Sequence, residues 1–324
     1  MAGNRRATRP GGDPSPLRFI GIAVVLIGLV LVSLRLLPGS PFESQAVARW
    51  GADTRADKDA GAADRDTGSP DRSARTAPSP TPSPSPTLEP LPLRATEVQL
   101  DAEGWWSWSL LDTRTGEFSG SKNMNQTSTT ASLIKAWIVA DYLRRADEDG
   151  RTPSDAKLAD ATLIIRDSDN TRTQQFYNTL GGEASIKRLV KMCKLTDSSP
   201  ADDGGWSRTN LSARDTARMG ACIADGTAAG PEWTDWLLNE MKLVRGTGDF
   251  GIRKAFPAAQ QKQIAIKNGW VDRTREQEIH VNCLAVGDGW TMGVMVRYPI
   301  NLGYEYGMEN CQEITEQLMA AATS

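Results

Sequence analysis

Histidine is almost absent from this sequence, since the chain of 324 residues has only one, His280. Catalytic zinc sites take about three protein ligands, most of them His or Cys, so the composition argues against a zinc hydrolase. A Ser-His-Asp triad would have to use this single histidine. The formal net charge of −3 offers no basic field for nucleic acid. We therefore expect no metal, no other cofactor and no nucleic-acid partner.

Aromatic residues are missing from a long stretch, Gly51–Gly104, which contains no Phe, Tyr or Trp. The same stretch includes residues 77–86, where every second residue is Pro, so neither a helix nor an inner strand can form there. We predict that residues 38–94 form a disordered, extracytoplasmic linker rich in Pro, Ser and Thr. The core must then come from residues 95–324, which are enough for one folded domain.

Charged residues are also missing from the apolar run Phe19–Leu34, which extends to residue 37 if Arg35 is tolerated. A helix of ~19 residues is close to the thickness of a bilayer core. Because arginines crowd residues 1–18, we predict a cytoplasmic basic tail there and a transmembrane signal anchor at residues 19–37. The rest of the chain would lie outside the cytoplasm at the cell membrane. The alternative is a signal peptide cleaved at Ala46-Val47-Ala48, which would release a secreted protein.

Cysteine is sparse, and its four copies all lie in the C-terminal part: Cys193, Cys222, Cys283 and Cys311. An even number in an exported chain predicts two disulfides. The sequence alone permits three pairings, and also four free thiols. We expect Cys193–Cys222 and Cys283–Cys311, because each pair joins neighbouring predicted elements. Each bridge would contribute ~3–4 kcal/mol in the chain-entropy treatment.

The predicted elements place strands at both ends of the domain and helices between them. Alternation predicts a strand at Trp105–Asp112, followed by a turn at Thr115-Gly116 and a short second strand. An apolar stripe predicts a helix from Ser132 to Arg145. Further helices are expected at 154–167, 171–180, 183–193, 212–225, 231–243 and 306–322, and further strands at Gln263–Val271, Glu278–Val286 and Trp290–Tyr298. This order predicts an α+β fold, an α/β sandwich with an antiparallel five-stranded sheet flanked by helices and an inserted all-helical region.

The first motif with a chemical meaning is Ser132-Leu133-Ile134-Lys135 at the start of a predicted helix. Residues three apart share a helix face, so the lysine amine lies beside the serine hydroxyl. A serine hydroxyl is a weak nucleophile that needs a base. A lysine desolvated by apolar neighbours loses proton affinity and can serve as that base.

Two further motifs follow in the chain. Ser168-Asp169-Asn170 lies in a predicted loop, where a hydroxyl and an amide can face the lysine and a substrate. Its structural alternative is an N-cap for the next helix. Lys267-Asn268-Gly269 lies on a predicted strand, where a cation can bind a substrate carboxylate and the glycine permits close approach. Its structural alternative is a strand end with an Asn-Gly turn.

In this order, the three motifs resemble those of the serine β-lactamase and penicillin-binding protein superfamily, most closely the class A β-lactamase-like serine hydrolases. The resemblance covers residues 95–324. It implies that Ser132 is the nucleophile, Lys135 its base and Ser168 the relay of a proton to the leaving nitrogen. It also implies an oxyanion hole formed by the backbone N–H groups of Ser132 and Trp270. The implied substrate-binding residues are Asn170, Lys267, Asn268, Gly269 and Trp270.

Two departures from the family pattern bear on turnover. β-Lactamases of the family carry a Glu-x-x-Leu-Asn segment whose Glu activates the deacylating water, whereas Ser198–Asn210 contains no Glu. Asn268 also replaces the usual Thr or Ser. We expect a monomer that forms an acyl-enzyme on Ser132 with a β-lactam or a D-Ala-D-Ala-like peptidoglycan peptide, followed by slow hydrolysis. The alternative is a non-catalytic penicillin-binding or sensor module at the cell envelope.

Overall fold

The computed structural model describes residues 88–324 of the chain. The predicted basic tail, the predicted anchor at residues 19–37 and most of the predicted linker lie outside the described residues. Within residues 88–324, no helix combines the length and the apolar character that crossing a membrane requires.

An antiparallel sheet forms the centre of the domain. It is built from β1 (Trp105–Asp112), β2 (Glu117–Gly120), β5 (Ala265–Ile266), β6 (Gly269–Arg273), β7 (Glu278–Gly287) and β8 (Trp290–Pro299). Its order is β2-β1-β8-β7, and both β5 and β6 pair with the outer edge of β7. The sheet is therefore five strands wide, and the predicted fold class is confirmed.

Helices cover both faces of this sheet, as the direction of adjacent side chains on β8 demonstrates. A side chain at Gly293 would collide with Ala213 and Thr216 of the helix α5 (Ala213–Ala224). The neighbouring Met292 instead contacts Thr315 of the last helix, α8 (Gly303–Thr323). Successive strand residues point to opposite faces. The apolar runs of β7 and β8 are buried for this reason.

The helical region lies between the two groups of strands. It contains α1 (Lys135–Glu148), α2 (Asp155–Arg166), α3 (Asn170–Thr179), α4 (Glu183–Met192), α5, α6 (Pro231–Lys242) and the short α7 (Ala258–Gln261). A small two-stranded sheet of β3 (Thr127–Thr129) and β4 (Asn210–Ser212) borders this region. The inserted helices are where the sequence predicts them: α1 begins and ends three residues later than predicted, and the bounds of the other predicted helices in this region agree within one residue.

The two expected disulfides are both present. Cys193 at the end of α4 is bonded to Cys222 of α5, and Cys283 of β7 is bonded to Cys311 of α8. The Cα atoms are 5.5 Å and 6.5 Å apart, within the span of an ordinary disulfide. The first bridge holds the helical region together, and the second attaches the last helix to the sheet.

The predicted strand Gln263–Val271 begins two residues before β5, and β6 continues two residues beyond its predicted end. Gln263 and Ile264 belong to the turn after α7, since their N–H groups donate to Gln260 and Gln261. The strand is also divided into β5 and β6, with Lys267 and Asn268 between the two segments. This division occurs where the Asn268 amide turns into the interior to bind two backbone carbonyls.

Candidate active site

Ser132 lies in a single 3-10 turn, Ala131–Ile134, that leads directly into α1. The sequence predicts an α-helix from Ser132 itself, and the structure instead begins the α-helix at Lys135. In a 3-10 turn residues i and i+3 eclipse, so Lys135 lies under Ser132. The turn is entered through Ala131, whose φ of +48° falls in the left-handed region that non-glycine residues rarely adopt. This strained entry leaves Ser132 partly exposed above a fully buried lysine.

The Lys135 amine donates hydrogen bonds to the loop that carries the second motif. Its Nζ is 2.5 Å from the Ser168 carbonyl oxygen, 3.2 Å from Ser168 Oγ and 2.6 Å from Asn170 Oδ1. Among the described residues, it makes no hydrogen bond to Ser132. Ser168 has a φ of +60°, and this left-handed backbone turns both its carbonyl and its hydroxyl toward the amine. Lys135, Ser168 and Asn170 are therefore brought together as the sequence predicts.

A second buried amine completes this cluster from the sheet. Lys267 Nζ lies 3.0 Å from Ser168 Oγ, so the Ser168 hydroxyl stands between two lysines. Asp169 anchors this loop to α3, because its side chain accepts a hydrogen bond from the backbone N–H of Arg172 at the start of that helix. The structural alternative for the second motif is therefore confirmed, with Asp169 as the N-cap, and it does not exclude a role for Ser168.

Burial shifts the pKa of both lysines downward. Desolvation lowers the pKa of Lys135 to about 7, and the nearby carboxylate of Asp169 opposes part of that shift. Desolvation also lowers the pKa of Lys267 well below its ordinary value, and the positive charge of Lys135 adds to the effect. A lysine with a pKa near neutrality is unprotonated in about half of the molecules at pH 7, which suits a general base.

Gly269 permits close contact between β6 and the 3-10 turn of Ser132. A Cβ atom at this position would lie 2.3 Å from the Thr130 carbonyl oxygen and 2.7 Å from the Ser132 nitrogen. Only glycine fits this approach. This contact brings the backbone of Ser132 close to β6 next to Trp270. The backbone N–H groups of these two residues are the expected oxyanion donors.

Asn268 does not face the same cluster. Its amide nitrogen donates to the carbonyls of Gly248 and Phe250, at 3.1 Å and 2.8 Å, and the residue is buried. Contact of this nitrogen with a substrate carboxylate would require both bonds to break. Asn268 instead connects the sheet edge to the segment before α7, where Phe250 packs against Trp270.

Two further residues, to which the three motifs assign no role, also act on Lys135. The indole of Trp206 lies over its amine, with 5.0 Å between Nζ and the ring centroid. Asp169 acts through its charge. One signal could have found Trp206: in the Glu-x-x-Leu-Asn pattern Glu stands four residues before Asn, and four residues before Asn210 is Trp206.

His280 is separate from the cluster. It lies on β7, where its Nδ1 is 2.7 Å from Thr129 Oγ1 and its Nε2 is 3.2 Å from Glu278. Burial lowers its pKa to about 4, so the ring is neutral near pH 7. Within the described part of the chain it makes no hydrogen bond to Ser132.

A partly exposed serine above a buried amine of near-neutral pKa is the arrangement of a serine hydrolase that uses lysine as its base. Comparison with known proteins identifies the family. The profile described as the beta-lactamase enzyme family matches residues 157–319, half of the chain. The chain belongs to this family, and its fold is that of the class A β-lactamases.

Solved structures agree with this assignment at the level of the fold. A β-lactamase from Burkholderia vietnamiensis is 17% identical and has a TM-score of 0.56, with 68% of this chain and 92% of that chain covered. A class A β-lactamase from Mycobacterium abscessus is 16% identical and has a TM-score of 0.54, with 68% and 95% covered.

Among curated proteins, the chain is similar to the Mycobacterium tuberculosis protein named "Putative lipoprotein LppW". The two are 26% identical over 188 residues, which is 56% of this chain. The chain spans 59% of the length of this relative.

Proposed function

We propose that Ser132 forms an acyl-enzyme with a β-lactam or a D-Ala-D-Ala-like peptide. The observation that carries this proposal is the buried polar cluster beside Ser132, in which Lys135 and Lys267 share the Ser168 hydroxyl. A structural role alone would not require two buried amines in one place, because burying each of them costs free energy.

In the proposed acylation, the neutral Lys135 amine takes the proton of the Ser132 hydroxyl as Oγ attacks the substrate carbonyl carbon. The carbonyl oxygen becomes negative and is stabilised by the backbone N–H groups of Ser132 and Trp270. The C–N bond then breaks, and Ser168 passes its proton to the leaving nitrogen. Ser168 regains a proton from Lys135, 3.2 Å away. The net change is one acyl group on Ser132 and one N–H on the leaving group.

Asn170 and Lys267 hold the substrate in this proposal. Asn170 keeps its Oδ1 on Lys135, which leaves its amide N–H for a substrate carbonyl. A substrate carboxylate beside Lys267 would favour the protonated form of that amine and so oppose the effect of burial on its pKa.

A second candidate is a penicillin-binding or sensor module that is acylated and then released slowly. It is favoured by the absence of Glu from Ser198–Asn210. It is also favoured by the partners of Lys135 among the described residues, which are a carbonyl, a hydroxyl and an amide rather than a carboxylate.

Intact-mass spectrometry after incubation with a penicillin tests the acylation and separates the two candidates. We expect the mass of the protein to rise by that of one penicillin, and digestion to place the adduct on the peptide of Ser132. Ser132→Ala should abolish the adduct, whereas Ser199→Ala, at an exposed serine, should not. A folded wild type without an adduct, or an adduct that survives Ser132→Ala, contradicts the proposal. Continuous turnover of a chromogenic β-lactam would contradict the slow-release candidate.

We also propose that the protein is a monomer held at the cell envelope by residues 19–37. The apolar run and the arginines before it support this location, as does a relative named as a lipoprotein. Membrane fractionation of the full chain should find it with the membranes, and a variant without residues 1–37 should be released. Light scattering of that variant should give the mass of one chain. A full chain found in the soluble fraction, or a dimer, contradicts these two proposals.

A further inference from the structure

The indole of Trp206 lies over the Lys135 amine, with 5.0 Å between Nζ and the ring centroid. The same amine donates hydrogen bonds to Ser168 and Asn170. The 3-10 turn of Trp206, residues 206–208, packs against the 3-10 turn that contains Ser132.

The position of this ring is fixed by bonds on both sides of Trp206. Its indole N–H donates to Gln174 Oε1 of α3 at 3.0 Å. Just before it, the Gly204 carbonyl accepts from the Tyr177 hydroxyl at 3.0 Å. Just after it, the Ser207 carbonyl accepts from the Arg273 guanidinium of β6 at 2.8 Å. Trp206 is therefore attached to the helical region and to the sheet edge at once.

An indole at this position cannot do what an acidic side chain would do there. Its nitrogen is a donor only, and its carbon atoms accept no proton. Hydrolysis of an ester on Ser132 needs a water oxygen to attack the carbonyl carbon while a base takes the water proton. The C–Oγ bond then breaks, and Ser132 Oγ recovers a proton. Lys135, the base proposed for acylation, can also act as this base, and the Trp206 ring lies over its amine.

We propose that Trp206 is a fixed lid on Lys135 that excludes water, so that the domain retains an acyl group on Ser132. Trp206 is a positioning residue in this account, because it acts on water and on Lys135 rather than on the substrate. The inference rests on the proposed acylation of Ser132, and it assigns the fate of the acyl-enzyme to one side chain. The low pKa of Lys135, which has burial as its largest cause, agrees with a covered amine.

Two variants open the lid to different degrees. Trp206→Ala removes the ring, and Gln174→Ala removes the exposed amide that holds the indole N–H while leaving the fold of α3 in place. Trp233→Ala is the matched control, because Trp233 is another partly buried tryptophan, on α6. It lies near the end of α1 that is remote from Lys135, since neighbouring Gly230 contacts Arg144 and Asp147.

The first measurement is the lifetime of the penicillin adduct by intact-mass spectrometry after free penicillin is removed. We expect Trp206→Ala to lose the adduct about tenfold faster than the wild type or more. Gln174→Ala should fall between the two, and Trp233→Ala should match the wild type. Equal lifetimes in the wild type, Trp206→Ala and Gln174→Ala would overturn the proposal.

The second measurement does not need acylation, so it separates the lid from the proposed function. The Lys135 side chain of protein labelled with 13C at lysine Cε is titrated by NMR, and its signal is assigned by its loss in Lys135→Arg. The wild type should titrate near pH 7, and Trp206→Ala should titrate at higher pH because the amine becomes hydrated. An unchanged titration in Trp206→Ala would show that the indole does not exclude water. If Trp206→Ala shifts the titration but the wild type never forms an adduct, the proposed acylation is contradicted and the proposed role of Trp206 in excluding water is retained.

Discussion

Lys135 and Lys267 donate hydrogen bonds to one hydroxyl, that of Ser168, with Nζ to Oγ distances of 3.2 Å and 3.0 Å. Two protonated amines this close repel each other, and burial adds to the cost of charging either one. The pair therefore favours states in which at least one lysine is neutral near pH 7. This property makes lysine usable as a base.

The acylation rate should depend on pH through Lys135. Its active form is the neutral amine, so the fraction of active protein rises as the pH increases through the folded-state pKa of about 7. We expect the labelling rate with a fluorescent penicillin to rise about tenfold per pH unit in acid and to level above neutrality. Lys135→Arg should label at least ~100-fold more slowly at every pH, because a guanidinium keeps its proton. A rate that is flat between about pH 5 and about pH 8 would argue against Lys135 as the base.

Replacing Asp169 should move that pH profile to lower pH. The carboxylate of Asp169 raises the pKa of Lys135 against the effect of burial, so Asp169→Asn removes this opposition and lowers the pKa further. Asn is as good an N-cap as Asp, so α3 should keep its start. The midpoint of the labelling profile should therefore fall below that of the wild type.

Asp160→Asn is the control for this shift. Asp160 and Asp169 both form ion pairs with Arg172, each at 2.9 Å, but Asp160 does not contribute to the pKa of Lys135. The labelling profile of Asp160→Asn should keep the wild-type midpoint. Equal midpoints in all three proteins would mean that the charge of Asp169 does not reach Lys135.

Restoring the family residue at position 268 should destabilise this protein. Asn268→Thr removes the amide that donates to Gly248 and Phe250 and leaves two buried carbonyls without that donor. The free energy of unfolding should fall by about 1–3 kcal/mol in urea titrations. Asn239→Thr, at an exposed position of α6, should cost a few tenths of a kcal/mol at most. An Asn268→Thr variant as stable as the wild type would show that the two bonds contribute nothing.

The two disulfides should contribute similar stability. They join residues 29 and 28 positions apart, so the loops they close are nearly equal. Replacing either pair with alanine should lower the free energy of unfolding by about 3–4 kcal/mol. Urea titration of the two double variants measures both effects. A loss below about 1 kcal/mol for either pair would contradict the chain-entropy account for that bridge.

The helices and strands were predictable because the spacing of apolar residues indicates which face of each element is buried. The strand Trp105–Asp112 has the predicted bounds, and the last two strands extend only one residue beyond theirs. The cluster of Lys135, Ser168 and Lys267 was predictable as well, because each residue belongs to a short motif on a separate element.

Two features depend on tertiary contacts that no local pattern encodes. Asn268 turns inward because carbonyls from residues about twenty positions earlier are within its reach. Trp206 reaches Lys135 because Tyr177 and Arg273 hold the loop around it from two other elements. The spacing of residues within one segment does not specify which groups from distant segments will contact that segment.

The pairing of β1 with β8 has a consequence for how the domain assembles. These inner neighbours come from opposite ends of the domain, with Trp105 opposite Arg297. A ribosome releases β8 only after the whole helical region, and until then β1 and β2 are an isolated hairpin, which is marginal in water. Closure of the sheet must bring together parts of the chain that are far apart in sequence, and such topologies fold slowly. The helices can pack early, and β6 can pair with β7 as soon as that strand is made, but β1 gains its inner partner only when β8 is complete.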